Sequence, residues 1–124
     1  LWPVLRPRVM SGVERSNGRL TEAAALQLLE TGRWQCWGAF EGHQNHAVLI
    51  TELIAYPSGA RGLNGIIAAG EGREDWQGLA IDTLERFARA EGCILFEMWA
   101  RMGWEPLMKT KGFKRTHVLL EKAL

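Results

Sequence analysis

The sequence predicts a single α/β domain over residues 1–124, with a mixed central sheet flanked by helices in the order ααβββαβαβ. Three observations carry that prediction. Leu63–Ala69, a helix that follows Asp75 and ends at Gly92, and Cys93–Ala100 form a strand–helix–strand unit, which implies a right-handed crossover between parallel strands. Before it, Trp34–Phe40, His46–Tyr56 and Leu63–Ala69 are separated by the short turn sequences Glu41–Asn45 and Pro57–Gly59, as in an antiparallel meander. Two amphipathic helices precede the meander.

Taken in order, Trp2, Leu5, Val9 and Val13 share a helical face over Trp2–Ser16, with Pro3 and Pro7 near the start, where proline is tolerated. Asn17-Gly18 ends that helix. Thr21 caps a second, Glu22–Thr31, with Leu26 and Leu29 inward and Gly32 as the stop. In the crossover helix, Trp76, Leu79, Ala80, Leu84, Phe87 and Ala88 recur at spacings of three and four, with Asp82, Glu85, Arg86 and Arg89 outside. Glu74 and Asp75 suit its N-terminal turn. Gly103-Trp104-Glu105-Pro106 opens a short helix closed by Gly112, and Phe113–Leu120 alternates as a final strand.

Composition is that of a globular chain, with 47% hydrophobic and 23% charged residues, and no apolar run is long enough to span a membrane. No signal-peptide pattern opens the chain, which begins at Leu1, so a few residues are expected to precede it. Cys36 and Cys93 are far apart in sequence, which predicts free, buried thiols in a reducing cytosol. The net charge of +1 is unevenly spread: +3 over residues 1–20, −6 over 21–100 and +4 over 101–124. Such basic ends read as solvated edges rather than as a nucleic-acid surface, which needs clustered cations. His43 and His46 lack a third ligand in sequence, so no metal site is expected.

Several motifs point to one family. They are Trp37, Thr51-Glu52, Tyr56-Pro57, Gly70-Glu71 before Trp76, the Ala-x-x-Glu-Gly-Cys helix end, Arg101-Met102-Gly103-Trp104, and Leu107–Phe113 closing on Gly-Phe. Together with the element order they resemble the GNAT N-acetyltransferase superfamily, and within it the small acetyltransferase-like proteins of tailed phages and prophages. The resemblance spans nearly the whole chain.

That resemblance implies acetyl transfer from acetyl-CoA to an amine. It places a cofactor loop at Gly70, Gly72 and Arg73, where backbone N–H groups and a helix N-terminus would hold a pyrophosphate. Here the loop departs from the family pattern: its glycine spacing differs, and Glu71, Glu74 and Asp75 outnumber Arg73. The tyrosine that protonates the leaving thiolate in many members falls at Met108. Tyr56, the one tyrosine, reads as a packing or turn residue. A general base is sought among strand carboxylates on apolar faces, Glu52 and Glu97, whose alternative is an ion pair with Arg61 or Arg101.

Two readings follow. One is a binding or virion-associated protein in the host cytoplasm, with a degenerate site, no cofactor, and a protein partner of host or phage origin. Its contact surface would lie where the parallel strands part, anchored by exposed Trp76, Trp99 and Trp104 with Arg101. The other is an active N-acetyltransferase using acetyl-CoA. Neither calls for a membrane or for nucleic acid.

Overall fold

The computed structural model describes residues 1–99 and 104–124, and of residues 73–75 the backbone alone. Helices α1 (Trp2–Glu14) and α2 (Glu22–Glu30) precede strands β1 (Trp34–Glu41), β2 (Gln44–Ala55) and β3 (Arg61–Gly70). Helix α3 (Arg73–Ala90), strand β4 (Cys93–Met98) and helix α4 (Glu105–Thr110) complete the order. The four strands lie in sequence order in one sheet. β1–β2 and β2–β3 are antiparallel and β3–β4 is parallel, as the meander and crossover predicted.

The sheet sits between two helical layers, each with its own core. On one face Leu5, Val9 and Val13 of α1, with Ala25 of α2, cover Trp34, Val48, Ile50, Ile67 and Ala69. The α1 stripe recurs every four residues, and α1 comes so close to β3 that a Cβ at Gly12 would stand 2.5 Å from Ile67. Thr21 caps α2, its hydroxyl accepting from Ala24 N at 3.2 Å. Leu28 and Leu29 pack on that core, where the sequence pointed to Leu26 and Leu29.

On the other face Trp76, Ile81, Leu84 and Ala88 of α3, with Trp104 and Met108, cover Ala47, Leu49 and Leu63. The sequence reading placed Leu79 in this stripe, but Leu79 is 69% exposed and Ile81 is 1% exposed. At roughly 100° per residue Leu79 stands about 140° from Leu84, whereas Ile81 stands about 60° away. Spacings of three and four chained from Trp76 had drifted off the buried face.

Two other expectations change. Residues 113–120 are not a fifth sheet strand: the tail leaves α4 with Phe113 edge-on to Phe96 at 5.1 Å. It reaches the turn after α1, where Asn17 and Arg19 hydrogen-bond Glu121. Both cysteines are free, but neither is buried as expected: Cys36 on β1 is exposed and Cys93 at the start of β4 is half-buried.

Candidate functional site

The site lies where the parallel pair β3–β4 ends. Its ladder runs from Arg61 opposite Cys93 to Gly65 opposite Met98, and β3 continues to Gly70. Parallel strands that stop pairing leave a crevice at their carboxyl ends, where open α/β sheets take ligands.

Across the sheet just before that point, the register aligns Trp34, Glu52, Asn64 and Glu97 on the four successive strands. Directly opposed residues share a face. Trp34 belongs to the core under α1 and α2, so the polar row faces that side. Glu52 Oε1 accepts from Arg33 Nε at 2.8 Å, and Glu97 Oε1 accepts from the Tyr56 hydroxyl at 2.5 Å. Between the two carboxylates, Asn64 Oδ1 is buried with no hydrogen-bond partner among the described residues.

Tyr56 reaches Glu97 because residue 62 is glycine: a Cβ there would stand 2.3 Å from the Tyr56 hydroxyl oxygen. Desolvation, then the hydrogen bond and charge of Glu97, push the Tyr56 hydroxyl up to about 12. It therefore stays protonated and acts as a donor at neutral pH. The oxygens remaining along the row are acceptors, a surface suited to a group rich in N–H donors and positive charge.

On the opposite side of the sheet, α3 begins at Gly72, which holds φ +66° and supplies no side-chain cap. The free N–H groups of the first turn and the helix dipole favour an acceptor or anion there. Gln77, one turn in, is 7% exposed, and its Nε2 has no hydrogen-bond partner among the described residues. Long helical side chains lean toward the N-terminus, which inclines this unpaired donor toward the same turn. The residue before Gly72 is already engaged. Glu71 N donates to the His46 carbonyl at 3.0 Å, and Glu71 O accepts from Trp76 Nε1 at 2.7 Å. The Glu71 carboxylate meets Arg8 at 3.4 Å.

The predicted site residues fall unevenly on this geometry. Glu52 and Glu97 are brought into one row; of their anticipated ion-pair partners, Arg61 meets Glu91 instead and Arg101 lies outside the described residues. Glu52 pairs with Arg33. Gly70 has a packing reason: a Cβ would stand 2.5 Å from both Ala47 Cβ and the His46 carbonyl oxygen. The expected exposure of Trp76 and Trp104 is overturned, since they are 8% and 6% exposed and pack on each other with centroids 6.0 Å apart. Trp99 is exposed at 69%. The side chains of Arg73, Glu74 and Asp75, and all of Arg101, lie outside the described residues.

Met108 is 4% exposed, inside the second core. His46 meets Glu41 at 3.3 Å, and among the described residues no group of three His, Cys, Asp or Glu side chains is placed to hold a metal. Sequence reasoning missed Tyr56, Asn64 and Gln77 as site residues. Asn64 did carry a signal, as the one polar side chain in the run Leu63–Ala69.

No family model matches the chain, and no curated protein matches it. Solved structures do. An acetyltransferase from Trypanosoma brucei superposes with a TM-score of 0.67 at 11% identity, covering 100% of this chain and 95% of that one. An aminoglycoside acetyltransferase from an uncultured soil metagenomic sample gives 0.69 at 17% identity, covering 100% and 87%. A predicted acetyltransferase from Clostridium acetobutylicum, solved with acetyl-CoA, gives 0.66 at 18% identity, covering 98% and 86%. The chain therefore has the acetyltransferase-like fold of the GNAT proteins. Among the described residues, no helix is long and apolar enough to cross a membrane.

Proposed function

We propose that this chain transfers an acetyl group from acetyl-CoA to a primary amine, with the amine held on the polar row of the sheet. The observation that carries the reading is the hydrogen-bonded pair Tyr56–Glu97 beside the unpartnered Asn64 Oδ1, just before β3 and β4 part. Burying an acceptor without a donor costs about 1–3 kcal/mol, a cost that a bound ammonium removes.

The chain's unpaired polar atoms also fit the cofactor. The α3 first turn from Gly72 and the Gln77 amide offer donors on one side of the sheet, and Asn64 and Glu97 offer acceptors on the other. Gly70 and Arg73 flank that turn in sequence. Acetyl-CoA, when bound, supplies the acetyl thioester. Glu97 would take a proton from the ammonium, directly or through water; attack of the freed lone pair on the acetyl carbon would break the thioester C–S bond, and the coenzyme A thiolate would leave, taking its proton from solvent. Tyr56 holds Glu97 in place through Oε1 and leaves Oε2 to the amine. Glu52, anchored by Arg33, adds a second negative charge to the row, and Asn64 orients one N–H.

A second reading keeps the fold without the chemistry: a phage-type binding protein with a degenerate cofactor loop and a protein partner. Buried Met108, where the family resemblance implies a proton-donating tyrosine, and exposed Trp99 favour it. Titration calorimetry with acetyl-CoA separates the two readings. Micromolar binding that weakens in Gln77→Ala, followed by acetylation of a primary amine that is lost in Glu97→Gln, supports transfer. No heat at millimolar acetyl-CoA sinks it and leaves the binding role.

A further inference from the structure

The flank of α1 carries a second, separate feature. A cleft of about 520 Å³ opens between α1 and the adjoining ends of β2 and β3, lined by Arg8, Ser11, Arg15, Asn45 and Gly70 among others. Arg8 and Arg15 are the only charged side chains among its lining residues. Arg8 lies within α1 and Arg15 caps its C-terminus, seven residues and two turns further along the same side.

The Arg8 guanidinium is held in place, and the exposed Arg15 meets one neighbouring side chain. Arg8, whose side chain is 24% exposed, donates from Nε to Asn45 Oδ1 at 3.0 Å and from Nη2 to the Asn45 carbonyl at 3.1 Å. Its Nη1 makes no hydrogen bond among the described residues. Arg15 Nη2 donates to Ser11 Oγ at 2.5 Å. Asn45 is fixed in turn, its Nδ2 donating to Ala39 O at 3.3 Å and Ala47 O at 2.9 Å across the β1–β2 bulge.

We propose that this cleft is an anion-binding site for a small molecule carrying a phosphate or carboxylate group. A preset fork of guanidinium donors beside a hydroxyl matches the oxygens of such a group, and positioning side chains in advance lowers the ordering cost of binding. The carboxylate of Glu71, at 3.4 Å from Arg8 and 75% exposed, is the neighbour that the ligand competes with. The cleft is formed by α1 and strand ends rather than by the polar row, so titration without acetyl-CoA tests it separately from acetyl transfer.

The experiment is titration of the whole chain with inorganic phosphate and, separately, with acetate, at low ionic strength and in the absence of acetyl-CoA. Saturable binding of either anion is expected, weakened about tenfold or more in Arg15→Ala, the loss of one charge-assisted contact. Arg86→Ala, on the exposed side of α3, should leave affinity unchanged. Binding of phosphate alone assigns the cleft to phosphoryl groups, and binding of both assigns it to anions more generally. No saturable binding of either anion overturns the proposal. So does binding that Arg15→Ala and Arg8→Gln both leave intact.

Discussion

The Tyr56 hydroxyl is hydrogen-bonded to Glu97 at 2.5 Å across 41 positions of sequence, joining the end of β2 to β4 over the intervening β3. Because Tyr56 is the only tyrosine in the chain, the pair can be observed directly.

Ultraviolet titration of the phenol should give a midpoint near 12 rather than 10. Glu97→Gln removes the hydrogen-bonded charge and should lower that midpoint toward the ordinary value. Burial remains in the variant, so the return should be partial. An unchanged midpoint would show that Glu97 does not face the hydroxyl.

The same shift sets a dependence of stability on pH. The folded state binds the Tyr56 proton more tightly than the unfolded state, so this contribution is fully present below about pH 10 and is lost as pH rises toward 12. Denaturant midpoints measured at increasing pH through that window should fall more steeply in the parent than in Tyr56→Phe. Parallel curves would contradict the assignment.

Asn64→Leu replaces an unsatisfied buried acceptor by an apolar group of similar size. Without ligand the variant should match or exceed the parent in urea stability, since about 1–3 kcal/mol of unmet desolvation is removed. Acetylation of a primary amine should fall in the same variant through a raised KM. A loss of several kcal/mol in stability would mean that Asn64 has a structural partner.

The phase of α3 gives a contrast between two leucine-sized side chains. Ile81→Ala should cost about 2–5 kcal/mol of unfolding free energy, and Leu79→Ala less than about 0.5. Equal costs in chemical denaturation would reject the observed orientation of the helix.

For acetyl transfer itself, Glu97→Gln should lower kcat by about 10²–10⁴, the range for a lost general base. Glu52→Gln should act mainly on KM, because its carboxylate is spent on Arg33 and lies one strand farther from Glu97. A kcat loss in Glu52→Gln as large as that in Glu97→Gln would reverse the roles.

Much of the fold was legible because strands and helices announce themselves locally. Apolar runs bounded by glycine marked β3 and β4, and Thr21 marked the start of α2. The candidate site was legible in part, since Glu52 and Glu97 are carboxylates in otherwise apolar strands. What joins them was not. In β3 the pairing slips between Ile50 and Thr51 of β2, so Ile67 and Asn64 share a face although strict alternation separates them. The tail misled for a related reason: its alternation suits a strand, but a strand also needs a ladder partner, and residues 113–120 join none in the sheet. Tyr56 looked like a turn residue because only the absent Cβ of Gly62, six positions later, lets its hydroxyl pass to β4.

Arg8 stands between the α1 cleft and Glu71, the residue that leads into α3. An anion drawn to the cleft and the Glu71 carboxylate compete for one guanidinium, and Glu71 also receives the indole N–H of Trp76 at the start of α3. If the cleft takes an anion and the α3 turn takes acetyl-CoA, this shared residue is the place where the two would be linked, and linkage is reciprocal. Whatever ratio acetyl-CoA imposes on phosphate affinity, phosphate must impose on acetyl-CoA affinity. If both proposals hold, a molecule with no part in the transfer would set how readily acetyl-CoA binds.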